Sequence, residues 1–214
     1  FIEHAEDCGL ITRMGDWAIR EARAQARFLP ENVGVSVNIS PLQLHSTTLV
    51  STIVNALARN RIDPARLDLE ITESVLIADT DFVLERLMQL KSIGLKISLD
   101  DFGTGFSSLS YLRSFPFDKI KIDKSFVSDL ESNEDSRVIT RTTIGLAQSL
   151  GKRCTAEGVE TEAQWRFLAE HGCDEIQGFL ISRAKTLEEL SHLLPVSPSA
   201  GEPPEQAGDE TRVA

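Results

Sequence analysis

Cysteine is scarce in this chain, and its few thiols are scattered. Only three of the 214 residues are cysteine, namely Cys8, Cys154 and Cys173. Three scattered cysteines are too few for a disulfide framework or a zinc site, so we expect reduced thiols in a protein of the cytosol.

Long apolar runs and an initiator methionine are also missing. No stretch approaches the ~20 apolar residues that a membrane-spanning helix needs, and no signal peptide is visible. We therefore expect a cytoplasmic location and no membrane contact from this segment. Because the chain begins with Phe1, we expect that upstream sequence is missing and that any membrane anchor of the parent protein lies in that upstream part.

Positive charge is in short supply. Lysine and arginine number 22 against 33 acidic residues, for a net charge of -11. A general binder of nucleic-acid polymers would need a basic face, so this class is disfavoured. An anionic ligand held through metal ions remains compatible with this charge.

What the sequence does contain is a regular alternation of strand and helix patterns. The predicted strands are 33–40, 67–74, the stretch before Asp100, 118–123, 153–160 and 175–181. The predicted helices are 1–28, a segment opened by Pro41, about 81–91, a short helix ending near Arg113, 135–150, 161–171 and 186–194. This alternation predicts βαβ units and a parallel sheet.

Several predicted strands alternate polar and apolar residues, which favours a barrel with a polar centre over an open sheet covered on both faces. A (β/α)8 barrel takes about 250 residues. Six strands within 1–194 therefore predict an α/β fold, a TIM-like barrel that lacks its first part. The segment 195–214 is rich in proline, glycine, serine and glutamate, and we expect a disordered tail.

The stretch 96–109, KISLDDFGTGFSSL, carries two adjacent carboxylates, Asp100 and Asp101. Neighbouring residues on a strand point to opposite faces, so both can meet one site only where the strand ends and turns. The glycines after them would permit such a turn, and paired carboxylates suit Mg²⁺. The alternative is an acidic strand-to-helix connection capped by Ser107 or Ser108.

Polar residues with oxygen or amine groups end every predicted strand. They are Asn38, Glu70, Asp100, Asp101, Lys121, Glu157 and Gln177. In a barrel these ends converge on one mouth. An all-oxygen ligand set predicts Mg²⁺ or Mn²⁺ rather than zinc, and two such ions suit water attack on a phosphodiester. Each residue alone could instead be a turn, a cap or a solvated strand face.

Seven ordered motifs then give a resemblance to a known family. VSVNIS, PLQL, LEITES, DDFGTGFSSL, KIDKSF, AEGVET and GCDEIQGF resemble the EAL-domain phosphodiesterases of bacterial cyclic di-GMP signalling, over residues 1 to about 194. The resemblance implies a (β/α)8-type barrel with one strand reversed, two Mg²⁺ or Mn²⁺ ions, and hydrolysis of cyclic di-GMP to linear pGpG.

The resemblance also implies roles for individual positions. Asn38, Glu70 and Asp100 match the ligands of one metal, and Asp100, Asp101 and Glu157 match those of the other. Lys121 matches the lysine that holds the catalytic water, and Gln177 a residue that supports water at the metal, so Lys121, Glu157 and Gln177 are the expected catalytic residues. Glu73 matches a glutamate that couples a loop to the dimer interface, and Gln43 lies in a motif beside the substrate.

Some family features are absent. The EAL motif itself would lie upstream of Phe1, and with it a metal-ligand glutamate and a substrate-contacting arginine. We therefore expect weak or no activity from the chain alone. Phe106 stands where tyrosine is common, and Ala184 where many members have proline. A sensor or diguanylate-cyclase-like domain upstream and a homodimer are expected by resemblance.

Two other functions remain open. One is a catalytically silent EAL-like domain that binds cyclic di-GMP or a protein partner. The other, independent of the resemblance, is a different Mg²⁺-dependent barrel enzyme acting on a carboxylate substrate.

Overall fold

A six-stranded parallel sheet forms the centre of the computed structural model, which describes residues 1–60, 62–76, 80–105, 109–190 and 194. The strands follow one another in space as in sequence, and every neighbouring pair is parallel. They are β1 (Val35–Asn38), β2 (Leu67–Thr72), β3 (Lys96–Phe102), β4 (Lys119–Ile122), β5 (Arg153–Ala156) and β6 (Glu175–Ile176). The predicted parallel α/β architecture is confirmed, and all six strands end at the same edge of the sheet.

Helices connect the strands. They are α1 (Ile2–Asp7), α2 (Leu10–Ala26), α3 (Pro41–Leu44), α4 (Leu49–Asn60), α5 (Thr80–Ser92), α6 (Leu109–Ser114), α7 (Lys124–Ser128), α8 (Glu134–Ser149), α9 (Glu162–Glu170) and α10 (Leu187–Leu190). Short 3₁₀ helices cover Pro64–Arg66 and Glu73–Leu76. In the part of the chain that the structure describes, no helix is long and apolar enough to cross a membrane.

Several predicted elements differ from the structure, and three of the differences change the element itself. The single helix over 1–28 is wrong, because Gly9 adopts a left-handed φ of 71° and separates α1 from α2. The segment opened by Pro41 is two helices, α3 and α4, rather than one. The strand over 175–181 is only two residues long, because the chain turns back at Gly178, where a Cβ would lie 2.2 Å from the carbonyl oxygen of Val159.

The two faces of the sheet differ in polarity. The apolar side chains of β2, β3 and β4 are almost fully buried against the helices; they are Leu69, Ile71, Ile97, Leu99, Ile120 and Ile122. The alternate residues of the same strands are polar. Side chains of β2 and β4, which are not adjacent in the sheet, reach one another on this polar face: Lys121 Nζ lies 2.8 Å from Glu70 Oε2. The sheet is therefore curled around a polar centre, as the alternation predicted.

Some predictions concern residues outside the described ranges. These are the disordered tail over 195–214, the helix cap at Ser107 or Ser108, and the substitution at Phe106. They stay predictions.

Candidate active site

The strand register brings the predicted site residues to one edge of the sheet. Asn38 at the end of β1 pairs with Glu70 on β2, and Thr72 at the end of β2 pairs with Asp100 on β3. Ile122 at the end of β4 pairs with Ala156 on β5, the residue just before Glu157. Parallel pairing thus places residues that are 28 or more positions apart in sequence side by side.

Lys121 is the centre of this site. Its Nζ lies 2.5 Å from Glu157 Oε1, 2.8 Å from Glu70 Oε2 and 3.1 Å from Asp100 Oδ1, and its side chain is only 4% exposed. The ammonium group therefore forms ion pairs with three carboxylates. One buried lysine joins the ends of β2, β3, β4 and the turn after β5.

The electrostatics of the site follow from burial and from this ion-pair cluster. Burial alone would lower the pKa of Lys121, but hydrogen bonds to Glu157 and Glu70 outweigh it and raise that pKa above the ordinary lysine value. Lys121 is therefore a fixed positive charge. Burial raises the pKa of Glu157 above the ordinary glutamate value, although Lys121 opposes the shift.

A bulge in β3 explains how Asp100 and Asp101 share one site. Leu99 pairs with Ile120 while Phe102 pairs with Ile122, so β3 has one more residue than β4 over this span. Asp101 takes a left-handed φ of 54°, a conformation that residues other than glycine seldom adopt. The expectation that the glycines make the turn is therefore incomplete: the turn begins at Asp101 itself, before Gly103.

The consequence is a compact group of acids. Asp100, Asp101 and Glu157 can each place one carboxylate oxygen within 4.8 Å of the others. Together with Glu70 they carry four negative charges against the one positive charge of Lys121, which leaves three uncompensated. An all-oxygen donor set with surplus negative charge fits a hard divalent cation.

Asp123 is a further acidic member that the sequence analysis did not single out. Its side chain shares a hydrogen bond with Asp101. Asp123 is also the N-cap residue of α7, because its side chain accepts a hydrogen bond from the backbone N–H of Ser125. Burial and the charges of Asp100 and Asp123 raise the pKa of Asp101. The signal was present in DKIKID, because the strand period of two places Asp123 on the same face as Lys121.

The comparisons with known proteins give the family of this chain. The family model described as EAL domain matches residues 1–184. The chain belongs to the EAL domain family. Within this EAL domain, the bulged DDF segment and the lysine of KIDKSF form the acidic cluster described above.

Relatives of this EAL domain include proteins of cyclic di-GMP signalling. It is 41% identical over 194 residues to the bifunctional diguanylate cyclase/cyclic di-GMP phosphodiesterase MucR of Pseudomonas aeruginosa, covering 89% of this chain and 28% of that protein. The EAL domain thus spans about a quarter of the length of the curated relatives that it matches.

Two solved structures of related sequence have a fold similar to that of this chain. The PaMucR phosphodiesterase in complex with c-di-GMP has a TM-score of 0.85 at 41% identity, covering 89% of this chain and 78% of that one. The manganese and cy-diGMP complex of Klebsiella pneumoniae BlrP1 has a TM-score of 0.74 at 33% identity, covering 80% of this chain and 44% of that one. These likenesses establish the TIM-barrel-like fold of the family, which the parallel sheet of this chain follows.

Asn38 and Gln177 stand at the rim of the cluster. Both side chains are exposed, and among the described residues neither makes a hydrogen bond to the acids. Gln177 continues the pairing of β6, because its N–H donates to Ala156 O at 2.8 Å. Their positions agree with the predicted mouth, while their roles stay predictions.

Glu73 supports the segment that follows the bulge. It is only 2% exposed, and its Oε2 accepts hydrogen bonds from Gly103 N at 3.0 Å and Gly105 N at 3.4 Å. A Cβ on Gly105 would lie 2.9 Å from Glu73 Oε1. The carboxylate therefore holds this glycine turn in place from beneath.

Gln43 has a different setting. Its Oε1 accepts from Ser40 N at 3.1 Å in the capping box of α3, and its side chain is 2% exposed. Gly15 of α2 lies directly against its amide. The structure thus places Gln43 in the packing of α2 against α3 rather than with the acids, and its proposed contact with substrate stays a prediction.

A second polar layer lies one step below the acids on the same concave face. Lys119 Nζ pairs with Glu175 at 2.7 Å and Asp68 at 3.4 Å. Ser98 donates to Asp68, and Arg153 pairs with Glu175 at 2.8 Å. The sequence analysis missed this layer, although the same strand alternation contains it.

Proposed function

We propose that this EAL domain is a metal-dependent phosphodiesterase that hydrolyses cyclic di-GMP to linear pGpG. The observation that carries the proposal is Lys121, buried and bonded to three carboxylates at the edge where all strands end. Membership of the EAL family and the relatives named as cyclic di-GMP phosphodiesterases support the substrate.

The acids supply the ligands for two divalent cations in this proposal. Asn38, Glu70 and Asp100 would hold one ion, and Asp100, Asp101 and Glu157 the other, with Asp100 shared. Mg²⁺ or Mn²⁺ is the proposed ion because every donor is an oxygen. When bound, such ions neutralise phosphate charge and lower the pKa of water.

Lys121 and Glu157 perform the proton chemistry. Lys121 remains protonated, and it exchanges one of its carboxylate partners for the attacking water, which it orients towards phosphorus. The water gives one proton to Glu157, whose raised pKa makes it a stronger base than an ordinary carboxylate. The water oxygen bonds to phosphorus, the bond from phosphorus to the ribose 3′ oxygen breaks, and that oxygen takes up a proton from solvent while Glu157 returns its proton to solvent. Gln177, at the end of β6, is assigned as the residue that supports water at the metal through a hydrogen bond.

The proposal extends to assembly and location. We assign a homodimer in which Glu73 transmits the state of the dimer interface to the 103–105 turn, and a cytoplasmic site of action for the EAL domain. The relative MucR, named as a bifunctional diguanylate cyclase/cyclic di-GMP phosphodiesterase, supports regulation by an upstream sensor or diguanylate-cyclase-like domain. This chain matches only 28% of the length of MucR.

The test is divalent-cation-dependent cleavage of cyclic di-GMP, measured by chromatographic separation of pGpG. It is run on the 214-residue chain and on the longest natural protein that contains it. We expect turnover that falls at least about 100-fold in Glu157→Gln. The matched control is Glu162→Gln on the exposed face of α9, where the carboxylate pairs with Arg166 at the surface.

Two results would overturn the proposal. Full activity of Glu157→Gln would remove the assigned base. Weak or no turnover is expected of the 214-residue chain alone, but tight binding of cyclic di-GMP without turnover in both proteins, each folded and metal-loaded, would identify the catalytically silent binding domain instead.

A further inference from the structure

Two of the three cysteines, 19 positions apart in sequence, meet beside β5 and β6. Cys154 lies within β5 and is fully buried, and Cys173 lies half-buried in the turn between α9 and β6. The register pairs Thr155 with Glu175, so Cys154 lies one step earlier, opposite Asp174. Asp174 N donates to Cys154 O at 3.1 Å, and Cys154 N donates to Asp174 Oδ2 at 2.8 Å.

The Cys173 thiol lies against the backbone of Cys154. Cys173 Sγ lies 3.5 Å from Cys154 O and 3.2 Å from Glu175 O, and the side chains of the two cysteines share a hydrogen bond. Neighbouring strands lie about 4.8 Å apart, and disulfides span Cα separations of about 4.4–6.8 Å. Because the Cys173 sulfur lies 3.5 Å from the Cys154 carbonyl oxygen, the two chain segments are close enough for a disulfide to join them.

The two thiols are not equivalent. The hydrogen bond from Cys154 lowers the pKa of Cys173, while the same hydrogen bond together with burial raises the pKa of Cys154. Cys173 is also the more accessible of the pair. The thiolate is the nucleophile in disulfide exchange. Cys173 is therefore the thiol that attacks the oxidant, and Cys154 is the thiol that attacks the resulting mixed disulfide.

We propose that Cys154 and Cys173 form a reversible intramolecular disulfide when the protein meets a small disulfide oxidant such as oxidised glutathione. The Cys173 thiolate attacks one sulfur of glutathione disulfide, which breaks the S–S bond and releases one glutathione. Cys154 Sγ then attacks Cys173 Sγ, loses its proton and displaces the second glutathione. Two protein thiols are oxidised, and one glutathione disulfide is reduced to two glutathione molecules.

The bond would join two strands that carry site residues. Cys154 precedes Glu157 by three positions, and Cys173 precedes Gln177 by four. The closed loop contains all of α9. The inference concerns thiol chemistry and goes beyond the proposed phosphodiesterase, because neither cysteine belongs to the acidic cluster.

The experiment uses the 214-residue chain carrying Cys8→Ser, because Cys8 is an exposed free thiol that would react on its own. The protein is incubated with oxidised glutathione, remaining thiols are alkylated, and peptides are identified by mass spectrometry. We expect a peptide cross-linked between Cys154 and Cys173, its loss on treatment with dithiothreitol, and a melting temperature about 5 °C higher in the oxidised form.

Two variants make the order of reaction testable. Cys154→Val, which keeps an apolar side chain in β5, should leave Cys173 trapped as a mixed disulfide with glutathione. Cys173→Ser should leave Cys154 unmodified under the same conditions. A mixed disulfide on Cys173 beside a free Cys154 thiol, in protein that holds both cysteines, would overturn the proposal. The readout is independent of cyclic di-GMP turnover.

Discussion

Replacing Lys121 with methionine removes the one positive charge that joins the strand ends. Three carboxylates lie within 3.1 Å of its Nζ, and the lysine side chain is 4% exposed. Removing one partner from a buried ion pair costs about 3–5 kcal/mol, because the charges that remain are left without a partner. We therefore expect Lys121→Met to lose about 3–5 kcal/mol of unfolding free energy near neutral pH, and hydrolysis to fall at least about 100-fold.

Lys119→Met is the matched control. Lys119 occupies the same strand and the same concave face, two residues earlier, and pairs with Glu175 and Asp68. After its removal Arg153 still pairs with Glu175, and Ser98 still donates to Asp68. We expect a smaller loss of about 1–2 kcal/mol and hydrolysis within a few-fold of the parent protein.

Urea unfolding in EDTA measures the stability of both variants, and added Mg²⁺ or Mn²⁺ separates the roles of charge and chemistry. Divalent cations should restore part of the stability of Lys121→Met, because they supply positive charge to the same acids, but should not restore hydrolysis. An unfolding free energy of Lys121→Met within about 1 kcal/mol of the parent protein would show that the ion-pair cluster does not organise the site. Equal losses of activity in the two variants would show that position 121 has no special role.

Other substitutions test individual contacts. Asp101→Asn keeps a residue that tolerates the left-handed backbone and removes a carboxyl whose pKa is raised by burial and by the neighbouring acids. We expect this variant, in EDTA, to be as stable as the parent protein at about pH 3 and more stable as the pH rises through that raised pKa. Urea unfolding at a series of pH values measures the difference. Glu73→Gln weakens the acceptor for Gly103 N and should cost about 1–2 kcal/mol, with faster amide hydrogen exchange of Gly103; unchanged exchange would contradict the support assigned to Glu73. Glu175 has a pKa that burial would raise but that Lys119 and other partners lower, so the stability deficit of Glu175→Gln should be about 1–2 kcal/mol at pH 7 and should disappear as pH falls below the ordinary glutamate pKa.

Much of the fold was predictable because it depends on local patterns. The strand period of two in LDLEIT and DKIKID identified β2 and β4 and assigned their polar faces correctly. The parallel sheet followed from the order of elements alone. The errors lie where a single backbone conformation decides the outcome: Gly9 divides one predicted helix into two, and the close approach of Gly178 to Val159 ends β6 after two residues.

The candidate site was predictable as a set of residues but not as an arrangement. The sequence analysis identified the acids Glu70, Asp100, Asp101 and Glu157 together with Lys121, but it did not single out Asp123. The three-way contact of that lysine, the bulge that turns Asp101, and the partner role of Asp123 were not visible. They depend on how far one strand is displaced against the next, and no spacing within a single strand reports that displacement.

The sequence by itself determined which residues are polar at the end of each strand, because side chains alternate along a strand with a period that can be read directly. It also determined that the side chains predicted to hold metal ions offer oxygen atoms. Only the tertiary structure decided that Lys121 reaches Glu70, Asp100 and Glu157 together and that Cys154 meets Cys173. These contacts join strands separated by whole helices, so they exist only once the sheet has formed and curled.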